Sequence, residues 1–423
     1  VTNVDQRLDR VRGASAPRRH NARTLAALTS NPGCRRRALL DGAGVDKQRI
    51  AAHVGFPAQF GQSQFAITRG NAFEAQVKAD GCATLLRLLR EVLGLPIPDA
   101  SYTDLGNPDD PDGAGTSRPQ PSADRHTHSR RLLTGAARLA ASATKLDGPA
   151  LDDQPSPAGG ALFDHPLLHL TVAGQRVYLE PDLIAFQLAG RFHVVEIKSF
   201  AVIDGQADAS KVSAAATQAA VYVLAMRQLL TEAGQDPETV SSDVILVCPR
   251  DFSNEPTAAL IDVRKQLLVL RRQLDRMARV EELVAVLPDG FSLDLVPDPD
   301  GQPTRPPAAL AATLGAVEAR YAPECLAACE LARFCRHEAR GSTASLGRSV
   351  RDALGGIDQV ATVLGLASGE LTPAAEQVEA TTLLQAAARL RAEVLATVGV
   401  DGGEWAAGIV GSQRAAEQPS VVG

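Results

Sequence analysis

Between residues 167 and 248 the hydrophobic patterns follow one order, and that order constrains the fold more than any other feature of the chain. Residues 167–173, 176–186 and 191–200 are rich in strand formers and are separated by the turn signals Ala-Gly-Gln and Leu-Ala-Gly. They read as a meander of three strands. Residues 213–233 have the composition of a helix, ended by Gly234, and residues 242–248 form a short apolar run suited to a buried strand. Upstream, residues 70–93 carry apolar side chains at helical spacing. Helix, three strands, helix, strand is the pattern of an α/β core with a mixed central sheet flanked by helices.

Two punctuated stretches flank this pattern. Residues 96–160 are rich in Pro, Gly, Asp and Ser, with a short helical pattern near 131–141, and are expected to form a flexible insertion. Residues 297–307 (Pro-Asp-Pro-Asp-Gly-Gln-Pro-Thr-Arg-Pro-Pro) precede a cysteine-rich segment at 321–338. From 341 to 423 an Ala- and Leu-rich appendage is expected to be helical, with a disordered end. With 423 residues, 45% of them hydrophobic, the chain can bury a full core. No apolar run reaches the ~20 residues a membrane helix needs. The first residues are polar and arginine-bearing, without a signal-peptide pattern, so a cytoplasmic protein is expected. The formal net charge of −6 argues against a polyanionic partner, but basic residues gather at 35–37, 125–131 and 264–276. For any one of these clusters a solvated face is the ordinary account.

The chemistry-bearing residues lie on two successive strands. In His193-Val-Val-Glu-Ile-Lys198 the period of two sends Val195 and Ile197 to one face and Glu196 and Lys198 to the other. The preceding strand carries Glu180-Pro181-Asp182, and a short hairpin would bring Asp182 beside Glu196. Neighbouring carboxylates repel unless a cation lies between them, and hard oxygen ligands suit Mg²⁺ or Mn²⁺. A metal held this way polarises a phosphodiester and activates water, with a lysine to position that water or meet the developing charge. Glu-Ile-Lys alone is as well explained by a strand edge bearing an ion pair. The Pro-Asp one strand earlier argues against that account.

Pro181-Asp182, then Glu196-Ile197-Lys198, then Gln218-Ala-Ala-Val-Tyr222 resembles the RecB-like branch of the PD-(D/E)xK nucleases. The resemblance implies a restriction-endonuclease-like core over residues 20–340, with Asp182, Glu196, Lys198, Gln218 and Tyr222 catalytic. Gln218 and Tyr222, four apart, share one helix face. Gly70-Asn-Ala-Phe-Glu74 fits an upstream family motif and implies Glu74 as a third metal ligand beside Asp182 and Glu196. A solvent-facing glutamate in a first helical turn is the competing account.

Three of the six cysteines crowd together at Cys325, Cys329 and Cys335, which is no secreted disulfide framework. Three thiolates are one short of the four that zinc or an iron–sulfur cluster takes, and Cys34 is the fourth candidate. The layout is similar to that of the iron–sulfur RecB-like exonucleases of CRISPR adaptation and of bacterial helicase–nuclease complexes. It implies a 4Fe-4S staple, with structural Zn²⁺ as the alternative, since three residues rather than the usual two separate the second and third cysteines. Cys82 and Cys248 lie in apolar runs and read as buried small hydrophobes. The implied activity is a metal-dependent DNA nuclease, an exonuclease or processor of single strands and ends, in repair, recombination or CRISPR defence. Its partners would be single-stranded DNA or duplex ends and a helicase or CRISPR-adaptation protein. The alternative is a non-catalytic DNA-binding or scaffold subunit of such a complex. No nucleoside-triphosphate P-loop is present, so motor activity would belong to a partner. His165 and His169, four apart around Pro166, are expected to serve ordinary packing.

Overall fold

The computed structural model describes residues 3–18, 21–29, 31–58, 64–91, 94, 100–106, 122–146, 160–188, 191–251, 253–277 and 279–398. It divides into two compact units, one of residues 1–320 and 326–333, the other of residues 321–325 and 334–423.

The first unit is mixed α/β. Its central sheet has six strands in the order β1 (Ala100–Asp104), β2 (Gly160–Asp164), β5 (Leu183–Leu188), β6 (Arg191–Ile197), β7 (Asp243–Pro249) and β8 (Pro256–Asp262). β1–β2 and β6–β7 pair parallel and the other neighbours antiparallel, which makes the sheet mixed. β6 and β7 are buried at every residue but the first, as expected of strands covered on both faces. On one face Val195, Ile197, Ile245 and Val247 pack with Phe73, Val77, Leu85 and Leu89 of helix α5 (Gln64–Glu91). On the other, Phe192, Val194 and Val244 pack with helix α7 (Ala209–Glu232) and with Leu267 and Leu270 of α8 (Arg264–Asp275). α7 starts where the Asp208 carboxylate accepts from the Ser210 and Lys211 amides, and this cap extends the expected helix four residues upstream.

Two expectations need correction. The strand expected at 176–186 is broken at Glu180-Pro181-Asp182. Its first part, β4 (Gln175–Leu179), turns away to pair with β3 (Leu168–Val172) in a separate two-stranded sheet, and its second part is β5. Strand propensity runs through the break, but Pro181 has no amide to give to a ladder. The three-strand meander is therefore reduced to the β5–β6 hairpin. The insertion expected at 96–160 contributes an edge strand, β1, and a 25-residue helix, α6 (Ser122–Leu146), whose Leu133 and Ala137 enter the core. Residues 107–121 and 147–159 lie outside the described residues. α5 also departs from a simple helix. Ala79 to Cys82 leave helical geometry, with Asp80, Gly81 and Cys82 all at positive φ (52°, 64°, 65°).

In the second unit the helices α12 (Arg348–Ala353), α13 (Val360–Ser368) and α14 (Val378–Val398) follow one another, with Leu366 and Ala380 buried. Residues 399–423, expected to end in disorder, lie outside the described residues. Among the described residues no helix is long and apolar enough to cross a membrane.

α6 is fastened to β3 and α7 by a buried histidine pair. His169 Nδ1 lies 2.8 Å from His126 Nε2, and His169 Nε2 lies 3.3 Å from Glu232 Oε1. Burial, then the neighbouring His169, Arg176 and Arg130, lower the His126 pKa to about 4, and burial also lowers that of His169. A histidine whose pKa is depressed in the fold gives stability that is full above its unfolded value and lost as pH falls through its folded one. Urea midpoints should therefore fall between pH 7 and pH 5 in the wild type, and fall less in His126→Gln.

Candidate active site

The site forms where β6 ends. Glu196 is its last but one residue and is fully buried, on the α7 side of the sheet. Asp182, just ahead of β5, turns back across the hairpin, and its Oδ2 accepts the Ile197 amide at 2.8 Å. Lys198, held by its own amide to the Val247 carbonyl at 2.9 Å, forms an ion pair with Glu196 and places Nζ 3.9 Å from Asp182 Oδ2. The structure thus brings together the three residues singled out by the strand period and the Pro-Asp motif.

Electrostatically the arrangement is expensive without a cation. Burial and then the Asp182 charge push the Glu196 carboxyl up to about 8, with Lys198 offsetting only part. Burial likewise raises Asp182. Glu196 Oε2 is buried with no hydrogen-bond partner among the described residues. A carboxylate oxygen in that state loses its hydration without replacement, which is tolerated chiefly where a ligand supplies the missing partner. Asp182 and Glu196 therefore suit a hard divalent cation.

Gln218 and Tyr222 of α7 lie on the same side. The Gln218 amide nitrogen is 3.4 Å from the Tyr222 hydroxyl, which it can reach as a donor. Burial, and then the charges of Glu196 and Asp182, raise the Tyr222 pKa well above its usual value. The phenol therefore stays protonated beside the carboxylates.

Glu74 comes from α5, across the sheet. It is close enough for its charge to raise both Asp182 and Glu196. It is not a bare ligand, however: Lys78 Nζ lies 2.5 Å and His165 Nε2 3.3 Å from its Oε1. Burial would raise the Glu74 pKa, but the His165 hydrogen bond and Lys78 hold it down at about 2. Arg69, one turn earlier on α5, donates to the Ser199 carbonyl and so ties that helix to the end of β6.

Sequence reasoning missed an annex to this site. Asp164, at the end of β2, is buried and accepts from the Tyr102 hydroxyl of β1. Its Oδ1 lies 2.6 Å from Lys78 Nζ and 3.1 Å from His165 Nδ1. Asp104, Asp164 and His165 offer donor atoms within 4.8 Å of one another. His165 and His169 thus part company, one to this cluster and one to the His126 pair. The signal for Asp164-His165 was only its position after an apolar strand, ahead of a proline.

The cysteines fall in both units, all six buried and none in a disulfide. In the first unit Cys34 precedes helix α3 (Arg35–Gly42), which is fixed by buried arginines. Arg36 Nε donates to the Val317 carbonyl at 3.1 Å, and Arg37 to those of Ala27 and Ala328 at 2.8 and 2.9 Å. Two members of the 35–37 basic cluster are therefore internal fasteners and not a solvated face. Burial raises the Cys329 thiol to about 11, while the Arg37 and Lys47 charges pull it back toward thiolate. In the second unit burial raises the Tyr321 hydroxyl, and Cys325 and Cys335 both add to that rise. Cys82 and Cys248 sit in apolar clusters, as expected.

A carboxyl raised by the fold loses stability as pH climbs from its unfolded value through its folded one. In metal-free buffer at pH 7, Glu196→Gln should therefore be more stable than the wild type by about 0.5–2 kcal/mol, as active-site neutralisations commonly are. The difference should shrink below pH 4.5 in denaturant titrations. Compared with known proteins, the chain matches no family model and no curated protein.

Proposed function

We propose that this chain is a divalent-metal-dependent deoxyribonuclease of the PD-(D/E)xK type. One observation carries the reading: a fully buried glutamate with an unpartnered oxygen, beside a second carboxylate and a lysine at a strand end. Most buried carboxylate oxygens in folded proteins have a partner, and a bound cation would supply the one missing here.

Asp182 and Glu196 would hold Mg²⁺ or Mn²⁺, with Glu74 as the third carboxylate. When bound there, such an ion supplies a Lewis acid for the scissile phosphate and a source of nucleophile at neutral pH. Lys198, ion-paired to Glu196, would orient the attacking water and meet negative charge developing on phosphorus. Tyr222, kept protonated, and Gln218 would donate hydrogen bonds to substrate oxygens or to the lysine. DNA as substrate is consistent with α8, whose Lys265, Arg271 and Arg272 are exposed, followed by exposed Arg276. Exonuclease action on single strands or ends follows the sequence resemblance, as does a helicase or CRISPR-adaptation partner.

The sequence resemblance further implies a 4Fe-4S cluster on Cys34, Cys325, Cys329 and Cys335, with zinc as the alternative. The Arg37 and Lys47 charges beside Cys329 favour its thiolate, the form a cluster or zinc would take. Anaerobically purified protein should contain about four irons and four sulfides per chain by chemical analysis, as that cluster type requires. Stoichiometric zinc instead would decide for the alternative.

Cleavage of labelled single- and double-stranded DNA with Mg²⁺ or Mn²⁺ tests the activity. Lys198→Ala should lower the rate by about 10²–10³-fold, the usual cost of removing one electrostatic stabiliser. A folded wild type that binds DNA but cuts none of these substrates would favour a non-catalytic subunit.

A further inference from the structure

Glu74, Asp164 and His165 gather around one point that has the makings of a second cation site, yet that point is filled by a side chain of the protein itself. Lys78 Nζ lies 2.5 Å from Glu74 Oε1, 2.6 Å from Asp164 Oδ1 and 3.2 Å from His165 Nε2. Its side chain is only 8% exposed. Asp104, Asp164 and His165 contribute oxygen and nitrogen donors within 4.8 Å of one another, the spacing found around one divalent ion.

Two features fix the ammonium in place. Lys78 stands one helical turn after Glu74 on α5, so the pair shares one face. It is also the last residue before the Ala79–Cys82 kink, where the helix direction is reset. Removing the ammonium would leave Glu74 and the buried Asp164 facing each other with only His165 between them. That is the arrangement in which carboxylates recruit a metal ion.

We infer that Lys78 is a built-in counter-ion that takes the place of a second divalent metal, so that the centre binds a single ion, at Asp182 and Glu196. Two-metal nucleases place their ions about 3.5–4 Å apart, across a shared carboxylate. Here Glu74 is the carboxylate whose charge is felt at Asp182 and Glu196 as well as in the annex, and Lys78 holds its Oε1 on the annex side. Lys78 is a positioning residue: it fixes Glu74 Oε1 on the annex side without itself touching substrate. The location of the first ion rests on the nuclease reading; the exclusion of the second does not.

The test is Mn²⁺ stoichiometry on the full chain without DNA, by calorimetric titration and by the loss of free-Mn²⁺ paramagnetic signal. The wild type should bind one Mn²⁺ and Lys78→Met two, and the extra site should vanish in Lys78→Met with Asp164→Asn. Thermal melts give a second readout: Lys78→Met should melt below the wild type in chelator and recover with Mn²⁺. Two ions in the wild type, one ion in the wild type and in Lys78→Met alike, or a Lys78→Met chain that stays unfolded with Mn²⁺ present would each overturn the inference. A wild type that binds none while Lys78→Met binds one would sink the Asp182–Glu196 metal reading and leave the Lys78 inference standing. No binding by either chain would sink both.

Discussion

Burial of the Glu196 carboxylate is the constraint around which the first unit is arranged. A charge taken fully out of water must be met by another charge or by a ligand, and the neighbouring elements are those that could meet it. β5 delivers Asp182, the residue after β6 delivers Lys198, and α7 covers the site with Gln218 and Tyr222. α5 brings Glu74 from the other layer of the sheet. The sheet order places β6 between β5 and β7, so a strand buried at every residue but its first carries the group that most needs a partner.

The parts of this arrangement that were legible in sequence obey short periods. The alternation along β6 assigned Glu196 and Lys198 to one face, and the four-residue spacing of Gln218 and Tyr222 placed them on one turn of α7. The annex was not legible, because its members are brought together by pairing over long separations. Tyr102 and Asp164 meet through β1–β2 pairing, and Lys78 reaches Asp164 through the packing of α5 on the sheet. The β3–β4 ribbon was misread for a related reason. Residue type reports strand propensity but not which sheet a strand joins, and only the missing amide of Pro181 hinted at the change of partner.

The basic residues teach a similar lesson about charge. Arg35, Arg36 and Arg37 are indistinguishable in composition, yet Arg35 is exposed while Arg36 and Arg37 are buried and engaged with backbone carbonyls. A guanidinium has five donors in a fixed fork, so it can tie several chain segments together at once. Around Cys34 that property binds residues 27, 317 and 328, far apart in sequence, to one helix. The net charge of the chain carries no trace of this role.

β1 is the edge strand of the sheet, and the chain leaves it at Asp104 and returns at Gly160 to pair alongside in parallel. Both ends of that excursion are therefore anchored by the same ladder, whatever length of chain lies between them. Closing a longer loop on fixed anchors costs little, about 0.6 kcal/mol for each doubling. The excursion is thus a graft point for added chain: lineages of this fold can lengthen it on either side of α6 at small thermodynamic cost, while α6 itself, whose Leu133 and Ala137 enter the core, must be kept. Because β1 also lends Tyr102 and Asp104 to the annex, such changes happen beside the candidate site while leaving the buried strands that build it untouched.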